Sequence, residues 1–220
     1  MNTRTALVSL ALLPAILLGS ACQSSSGNQK AESTAMSMDG LREAVHKLKG
    51  RVTAAATSLA TVVEKGAVDP KGPFDQYKKD VASVLEGLST AESNLKSIKS
   101  QGQAYFAEWE KQAATITDPD LKEAAAERRT RLAKAIEDVS GQMDEARAEI
   151  APFVTQIQDV QTYLSNDLTP AGIESVEGKS KDITKGAKSI GDELDDVVET
   201  LEKHAPEFKT AKPPPPPPAK

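Results

Sequence analysis

The chain has 220 residues with a formal net charge of −5; hydrophobic residues make up 39% and charged residues 27%. That length suits one domain with a real core, and the acidic balance argues against nucleic acid as a partner, because phosphate binding needs a basic surface. Aromatic residues reach only 4%, whereas Ala, Glu, Lys, Leu and Val are abundant, a composition typical of long helices.

Residues 1–21 have the pattern of a secretion signal. Arg4 is their only basic residue, an apolar run covers residues 6–18, and small residues occupy positions 19–21. A charged start, a short apolar middle and a small-residue cleavage site are what the secretion machinery reads. The run is also shorter than the roughly 20 apolar residues that a membrane span requires. We therefore expect residues 1–21 to be removed on export.

Cys22 is the only cysteine, so no disulfide can form within the chain. Its position resembles the lipobox of bacterial lipoproteins, which implies a diacylglyceryl group on the thiol and cleavage before it. That family prefers Leu three residues before the cysteine, where this chain has Gly19. An ordinary secretion signal beside an unrelated cysteine is the alternative. Gln23 implies, by the sorting rule of two-membrane bacteria, a periplasm-facing anchor in the outer rather than the inner membrane.

The two ends of the mature chain are predicted to be simple. Residues 22–36 are small and polar after the cysteine, which predicts a flexible tether between the lipid and the domain. Residues 209–220 contain the run Pro213–Pro218, which favours an extended polyproline helix. That tail is either a stiff end or a ligand for a partner.

Between these ends, over residues 37–208, apolar residues recur three and four positions apart. This spacing places them on one stripe of a helix, as in the seam of a coiled coil. The four series are Met38, Leu41, Val45, Leu48, Val52, Ala55, Leu59 and Val62; Tyr77, Val81, Val84, Leu88, Ala91, Leu95, Ile98, Tyr105 and Trp109; Leu132, Ala135, Val139, Met143, Ala146, Ile150, Phe153, Ile157, Val160 and Leu164; and Ile173, Val176, Ser180, Ile183, Ala187, Ile190, Leu194, Val197 and Leu201.

Breaks in this pattern fall where helices should end. Residues 66–73 are rich in turn formers, and Asp118-Pro119 supplies a capping residue followed by a proline at the first helical position. Residues 166–170 do the same for the last helix. Because short connections imply antiparallel neighbours, the sequence predicts an all-α fold: an elongated up-down antiparallel four-helix bundle with coiled-coil-like seams.

Unequal helix lengths predict an uncovered end of this bundle. The first helix is expected to begin near residue 38. It is therefore too short to cover the far end of the hairpin formed by the second and third helices. Tyr105, Phe106 and Trp109 lie at that end, and Arg128 falls close enough for a cation–π contact with Trp109. These aromatic residues either close the core or form a partner-binding surface.

We find no convincing catalytic or metal motif. Glu43 and His46 have the Glu-x-x-His spacing of di-iron bundles, but a second motif is missing, because Leu201 stands three residues before His204. No nucleophile elbow or phosphate-binding glycine loop occurs. We therefore expect no cofactor, no metal and no enzymatic activity.

Two segments carry a resemblance to a known family. Residues 103–110, QAYFAEWE, are one, and residues 151–153 and 163–172, APF and YLSNDLTPAG, form the other. They resemble an uncharacterised bacterial family of exported helical coiled-coil lipoproteins that carries a domain of unknown function. The resemblance covers most of residues 38–203. It implies one all-helical domain and no particular activity.

The leading hypothesis is a non-catalytic, lipid-anchored protein of the cell envelope. It would act as a helical scaffold or interaction module, with another envelope protein as partner or with self-association through the same heptad pattern. The alternative is a carrier that holds an apolar ligand between its helices. An enzyme or metal protein is the third possibility.

Overall fold

The computed structural model describes residues 25–66 and 68–209, and all the regular secondary structure in these ranges is helical. The predicted signal, Cys22 and the run Pro213–Pro218 lie outside the described residues. The helices are α1 (Ser25–Lys65), α2 (Lys71–Ala113), α3 (Pro119–Asn166), α4 (Pro170–Ser175) and α5 (Glu177–Phe208). None of the described helices combines the length and the hydropathy that crossing a bilayer requires.

The predicted stripes form the core. Every residue of the first, third and fourth series is buried, and in the second series only Leu88, Leu95 and Trp109 remain partly exposed. Ser180, the one polar residue of the fourth series, is 5% exposed. The three-four spacing therefore identified the buried face of each long helix correctly.

Each of the four long helices packs mainly against two of the others. α1 contacts α2 and α5, and α3 contacts α2 and α5. The salt bridges Arg51–Glu86 and Lys30–Glu108 join α1 to α2. The two helices are antiparallel, because the residue with the higher number on α1 pairs with the residue with the lower number on α2. Antiparallel packing is the expected result of short connections between consecutive helices.

Charged residues on α5 pair with α1 rather than with solvent alone. Lys49 contacts Asp195, and Arg42 contacts Glu202 at 3.5 Å. These side chains are substantially exposed, and such pairs contribute little net stability because water and salt screen them. They help to fix the register between the two helices.

α1 begins earlier than the sequence suggested. Residues 25–36, expected to be part of a flexible tether, are helical, and Ala31, Thr34 and Ala35 are 6%, 0% and 2% exposed. The tether prediction is therefore wrong for this segment. The buried residues continue the stripe towards the N-terminus, but Ala and Thr are too small and too weakly apolar to make that continuation obvious in a polar stretch.

The last series occupies two helices instead of one. α4 is six residues long, and the chain departs from helical geometry at Val176, with φ −99° and ψ 0°, before α5 begins. Five helices are thus present in the described ranges where four were expected. Neither Pro nor Gly occupies position 176, so the sequence offered no signal for this break.

Side-chain caps begin α3 and α4 as the sequence predicted. Asp118 accepts a hydrogen bond from Leu121 N at 3.0 Å, and Thr169 accepts one from Gly172 N at 3.2 Å. A proline follows each cap, where its missing N–H costs nothing.

The turn before α4 requires a glycine, and substitution of Gly172 tests this. A Cβ on Gly172 would overlap the carbonyl oxygen of Asp167, which is backbone and cannot rotate away. We expect Gly172→Ala to lower the free energy of unfolding by about 1–3 kcal/mol, measured by urea denaturation. The control is Gly141→Ala in α3, where a Cβ meets nothing within 4 Å. That change should raise stability by about 1 kcal/mol; equal effects of the two substitutions would contradict the close approach.

A buried hydroxyl joins α2 to α3. Tyr77 is 0% exposed, and its hydroxyl donates to the carbonyl oxygen of Ile157 at 2.7 Å. Burial raises the pKa of this phenol well above its usual range. The contact therefore holds the neutral form of Tyr77 in the core.

Removal of this hydroxyl should have a measurable cost. We expect Tyr77→Phe to lower the free energy of unfolding by about 1 kcal/mol, because one buried hydrogen bond is lost without a change in shape. Tyr163→Phe is the matched control, since Tyr163 is 41% exposed, and it should leave the urea midpoint unchanged. If Tyr77→Phe left the free energy of unfolding unchanged, the hydroxyl would contribute nothing to the packing of α2 on α3.

Candidate functional site

The predicted aromatic cluster lies where α5 ends. Phe208, the last residue of α5, packs its ring 6.2 Å from the ring of Tyr105. Tyr105 also contacts Phe106 and Trp109, each with 5.5 Å between ring centroids. Tyr105 is only 7% exposed and Phe208 only 2%. These two rings are therefore core residues that close the bundle.

Past Phe208 the described residues include no fourth helix beside α1, α2 and α3, and the core-facing stripes of α2 and α3 are only partly covered there. Along α3, Leu132 is 1% exposed beside α5, whereas Leu121 is 63% exposed past its end. A depression of about 290 Å³ opens there and is lined in part by Trp109, Ile116 and Ala125. We use the term open stripe for the partly or fully exposed residues Trp109, Ala113, Ile116, Leu121 and Ala125.

The helix that leaves this surface uncovered is not the expected one. α1 reaches the end of the α2–α3 hairpin, because Lys30 contacts Glu108 at 3.5 Å and Gly27 lies beside Gln112. The gap was expected to result from a short first helix, and that expectation is wrong because α1 has 41 residues. α5, with 32 residues, is the shortest of the four long helices.

Cations at this end bind partners other than the predicted one. The cation–π contact is made by Arg129, which lies 5.7 Å from the centroid of the Phe106 ring and also pairs with Glu110. Arg128 instead binds Glu207 of α5 through its carboxylate, at 3.5 Å, and through its backbone carbonyl. The expected contact of Arg128 with Trp109 is replaced by this link between α3 and the last turn of α5.

The four predicted site residues thus have three different roles. Tyr105 is core, and burial raises the pKa of its phenol, with Arg128 opposing that effect in part. Arg128 fastens α5 to α3. Phe106 and Trp109 pack against the core while remaining partly exposed, so they are the members that a partner can still reach.

A second polar cluster, which sequence reasoning missed, fastens the end of α5 to α3. His204 is 7% exposed; its Nδ1 lies 3.0 Å from Glu207 Oε1 and its Nε2 lies 3.4 Å from Asp138 Oδ2. Lys134 donates a hydrogen bond to Asp138 and thereby lowers the pKa of that carboxyl. His204 follows Leu201 by three positions, so extension of the fourth series would have indicated its burial.

Metal-ligand geometry is not assembled in the described part of the chain. Glu43 and His46, the only Glu-x-x-His pair considered from sequence, are both exposed on α1. Within residues 25–66 and 68–209, no group of three or more His, Cys, Asp or Glu side chains is arranged to hold a metal ion.

The division between core and surface aromatics gives a direct prediction. We expect Phe208→Ala to lower the free energy of unfolding by about 3 kcal/mol, because a fully buried ring is removed. Trp109→Ala should cost clearly less, since its ring is partly exposed beside the open stripe. Urea denaturation followed by circular dichroism compares the two variants. A Trp109→Ala cost equal to that of Phe208→Ala would place Trp109 in the core and remove it from the candidate surface.

Comparison with known proteins adds a family. Residues 21–207 match the model of a family described as Protein of unknown function (DUF2959). No curated protein matches the chain.

Proposed function

The chain belongs to the DUF2959 family, and from that premise we propose that it is a non-catalytic, lipid-anchored protein of the bacterial cell envelope. It is exported, it faces the periplasm, and Cys22 carries its acyl anchor, with the outer membrane favoured over the inner membrane. Its helices form an elongated up-down antiparallel four-helix bundle, in which α4 is a short turn of helix before α5. The bundle acts as a scaffold that binds another envelope protein.

The open stripe is the observation that carries this proposal. In the described residues the apolar stripes are buried over most of their length, whereas past Phe208 the residues Trp109, Leu121 and Ala125 are partly or fully exposed. An apolar surface at the end of a bundle, where the described residues supply no fourth helix, is suited to an amphipathic helix laid in a groove. The partner we propose is therefore a helical segment that continues the line of α5 and covers Trp109 and Ala125.

Charges beside the open stripe favour a partner of mixed charge. Arg128 and Arg129 are already paired with Glu207 and Glu110, so neither sign dominates this end. Binding would then depend on apolar burial at the centre and on polar residues around it, the usual anatomy of a protein interface.

Photo-cross-linking in cells tests the proposal. Photoreactive residues at positions 109 and 125 should capture the same envelope protein, because both positions line the vacant place of the fourth helix. The matched control is position 163, where Tyr163 is exposed at the opposite end of α3, and it should not capture that protein. Cross-links only to the chain's own residues 210–220 would mean that its tail covers the stripe, and would contradict the proposal. Cross-links to a second copy would assign the surface to self-association.

The carrier function remains the second candidate, with one observation in its favour. A groove of about 310 Å³ between α3 and the start of α5 is lined in part by Val160, Tyr163 and Val176. Apolar side chains in a concave site are typical of ligand pockets. Extraction of the purified protein with organic solvent, followed by mass spectrometry, would detect a bound lipid and favour this function over the scaffold.

A further inference from the structure

α1 begins close to the residue that we propose as the membrane anchor. Only Gln23 and Ser24 separate Cys22 from Ser25, the first residue of α1. Three successive Cα–Cα steps span at most about 11 Å. An acyl anchor on Cys22 would therefore hold the start of α1 next to the bilayer surface.

The start of α1 lies beside the turn that joins α2 to α3. A Cβ on Gly27 would lie 3.2 Å from Gln112 Oε1, and α2 ends one residue after Gln112. Ser25 lies two residues before Gly27, which adds about 3 Å along the helix axis at the rise of an α-helix. The first residue of α1 and the α2–α3 turn are thus at the same end of the rod. We call residues 114–122, which form that turn and the first residues of α3, the tip.

Apolar side chains are available at the tip. Leu121 is 63% exposed, and Ile116, in the middle of the turn, is partly exposed. The free energy falls when a lipid surface covers a large apolar side chain that is otherwise mostly in water.

Charge neither drives nor opposes this contact. Lys122 at the tip and Lys111 just before it are exposed, and so are Asp118, Asp120 and Glu123. Asp118 is already occupied as the cap of α3. Because both signs are present, attraction to anionic headgroups is weak, and the short connection to Cys22 would supply the proximity.

We propose that the tip rests on the lipid surface that holds Cys22, with Leu121 and Ile116 in contact with the headgroup region and the rod projecting away from the membrane. This inference depends on the proposed acylation of Cys22. The opposite end of the rod, at the α1–α2 turn near Val68, then lies farthest from the bilayer. At 1.5 Å per residue, the length of α1 separates the two ends by roughly 60 Å.

The single tryptophan of the chain allows a graded test. The full acylated protein is purified from the membrane fraction and reconstituted in vesicles of zwitterionic phosphatidylcholine with brominated acyl chains, which quench nearby tryptophan. Two variants move the reporter: Leu121→Trp with Trp109→Phe places it at the tip, and Val68→Trp with Trp109→Phe places it at the far end, where Val68 is 93% exposed. Circular dichroism confirms that both variants keep their helical content.

We expect the loss of fluorescence to be largest for tryptophan at position 121, smaller for native Trp109 and absent at position 68. Equal quenching at all three positions would mean that the rod lies flat on the bilayer. No quenching at position 121 would mean that the tip stands away from it. Either result overturns the inference.

The same preparation separates this inference from the function on which it depends. Mass spectrometry of the N-terminal peptide shows whether Cys22 carries acyl chains. An unmodified Cys22 would defeat the lipid anchor and the orientation together. An acylated Cys22 without quenching at position 121 would defeat only the orientation.

Discussion

Burial of one continuous apolar stripe on each long helix is the constraint on which the rest of this structure depends. The stripes consist mainly of Val, Leu, Ile and Ala, with few aromatic rings, so the helices can approach closely along their whole length. A bundle of this kind stays closed only where each stripe meets neighbours on both sides. The length of each helix therefore decides where apolar surface remains in contact with water.

α5 is the helix that sets this limit. It has 32 residues, whereas α1, α2 and α3 have 41, 43 and 48. The last turn of α5 carries Phe208 against Tyr105, His204 between two carboxylates, and Glu207 against Arg128. These contacts anchor the end of the short helix firmly, and they mark the level past which no further helix of the described residues covers α2 and α3. The open stripe is thus a consequence of helix length rather than of unusual residues.

Sequence patterns were sufficient for most of the fold. The three-four spacing identified the buried faces, and Asp118 and Thr169 identified two helix starts, because large apolar residues and capping side chains leave strong local signals. The extension of α1 through Ala31 and Ala35 was missed, since small residues give little contrast with a polar background. The break at Val176 has no local signal at all, since neither Pro nor Gly marks it.

The candidate site was predictable in position but not in detail. Trp109 was expected at an uncovered end, and it is partly exposed close to the end of α5. The expected cause was a short first helix, whereas the shortest of the four long helices is α5. The partner of Arg128 could not be found from one hairpin alone, because Glu207 comes from a helix distant in sequence. Contacts of this kind depend on how far every helix extends. The three-four spacing of apolar residues on a single helix therefore cannot predict them.

The early start of α1 has a consequence for what the proposed scaffold can reach. A long flexible tether would have let the bundle sample a wide volume above the membrane. With α1 helical from Ser25, an anchor at Cys22 would leave almost no slack, and the open stripe would remain within a few turns of helix from the bilayer. A partner that covers Trp109 and Ala125 must then present its helix close to the same membrane. Proteins that are themselves anchored there meet this requirement most directly, because confinement to one surface raises their effective concentration around the stripe.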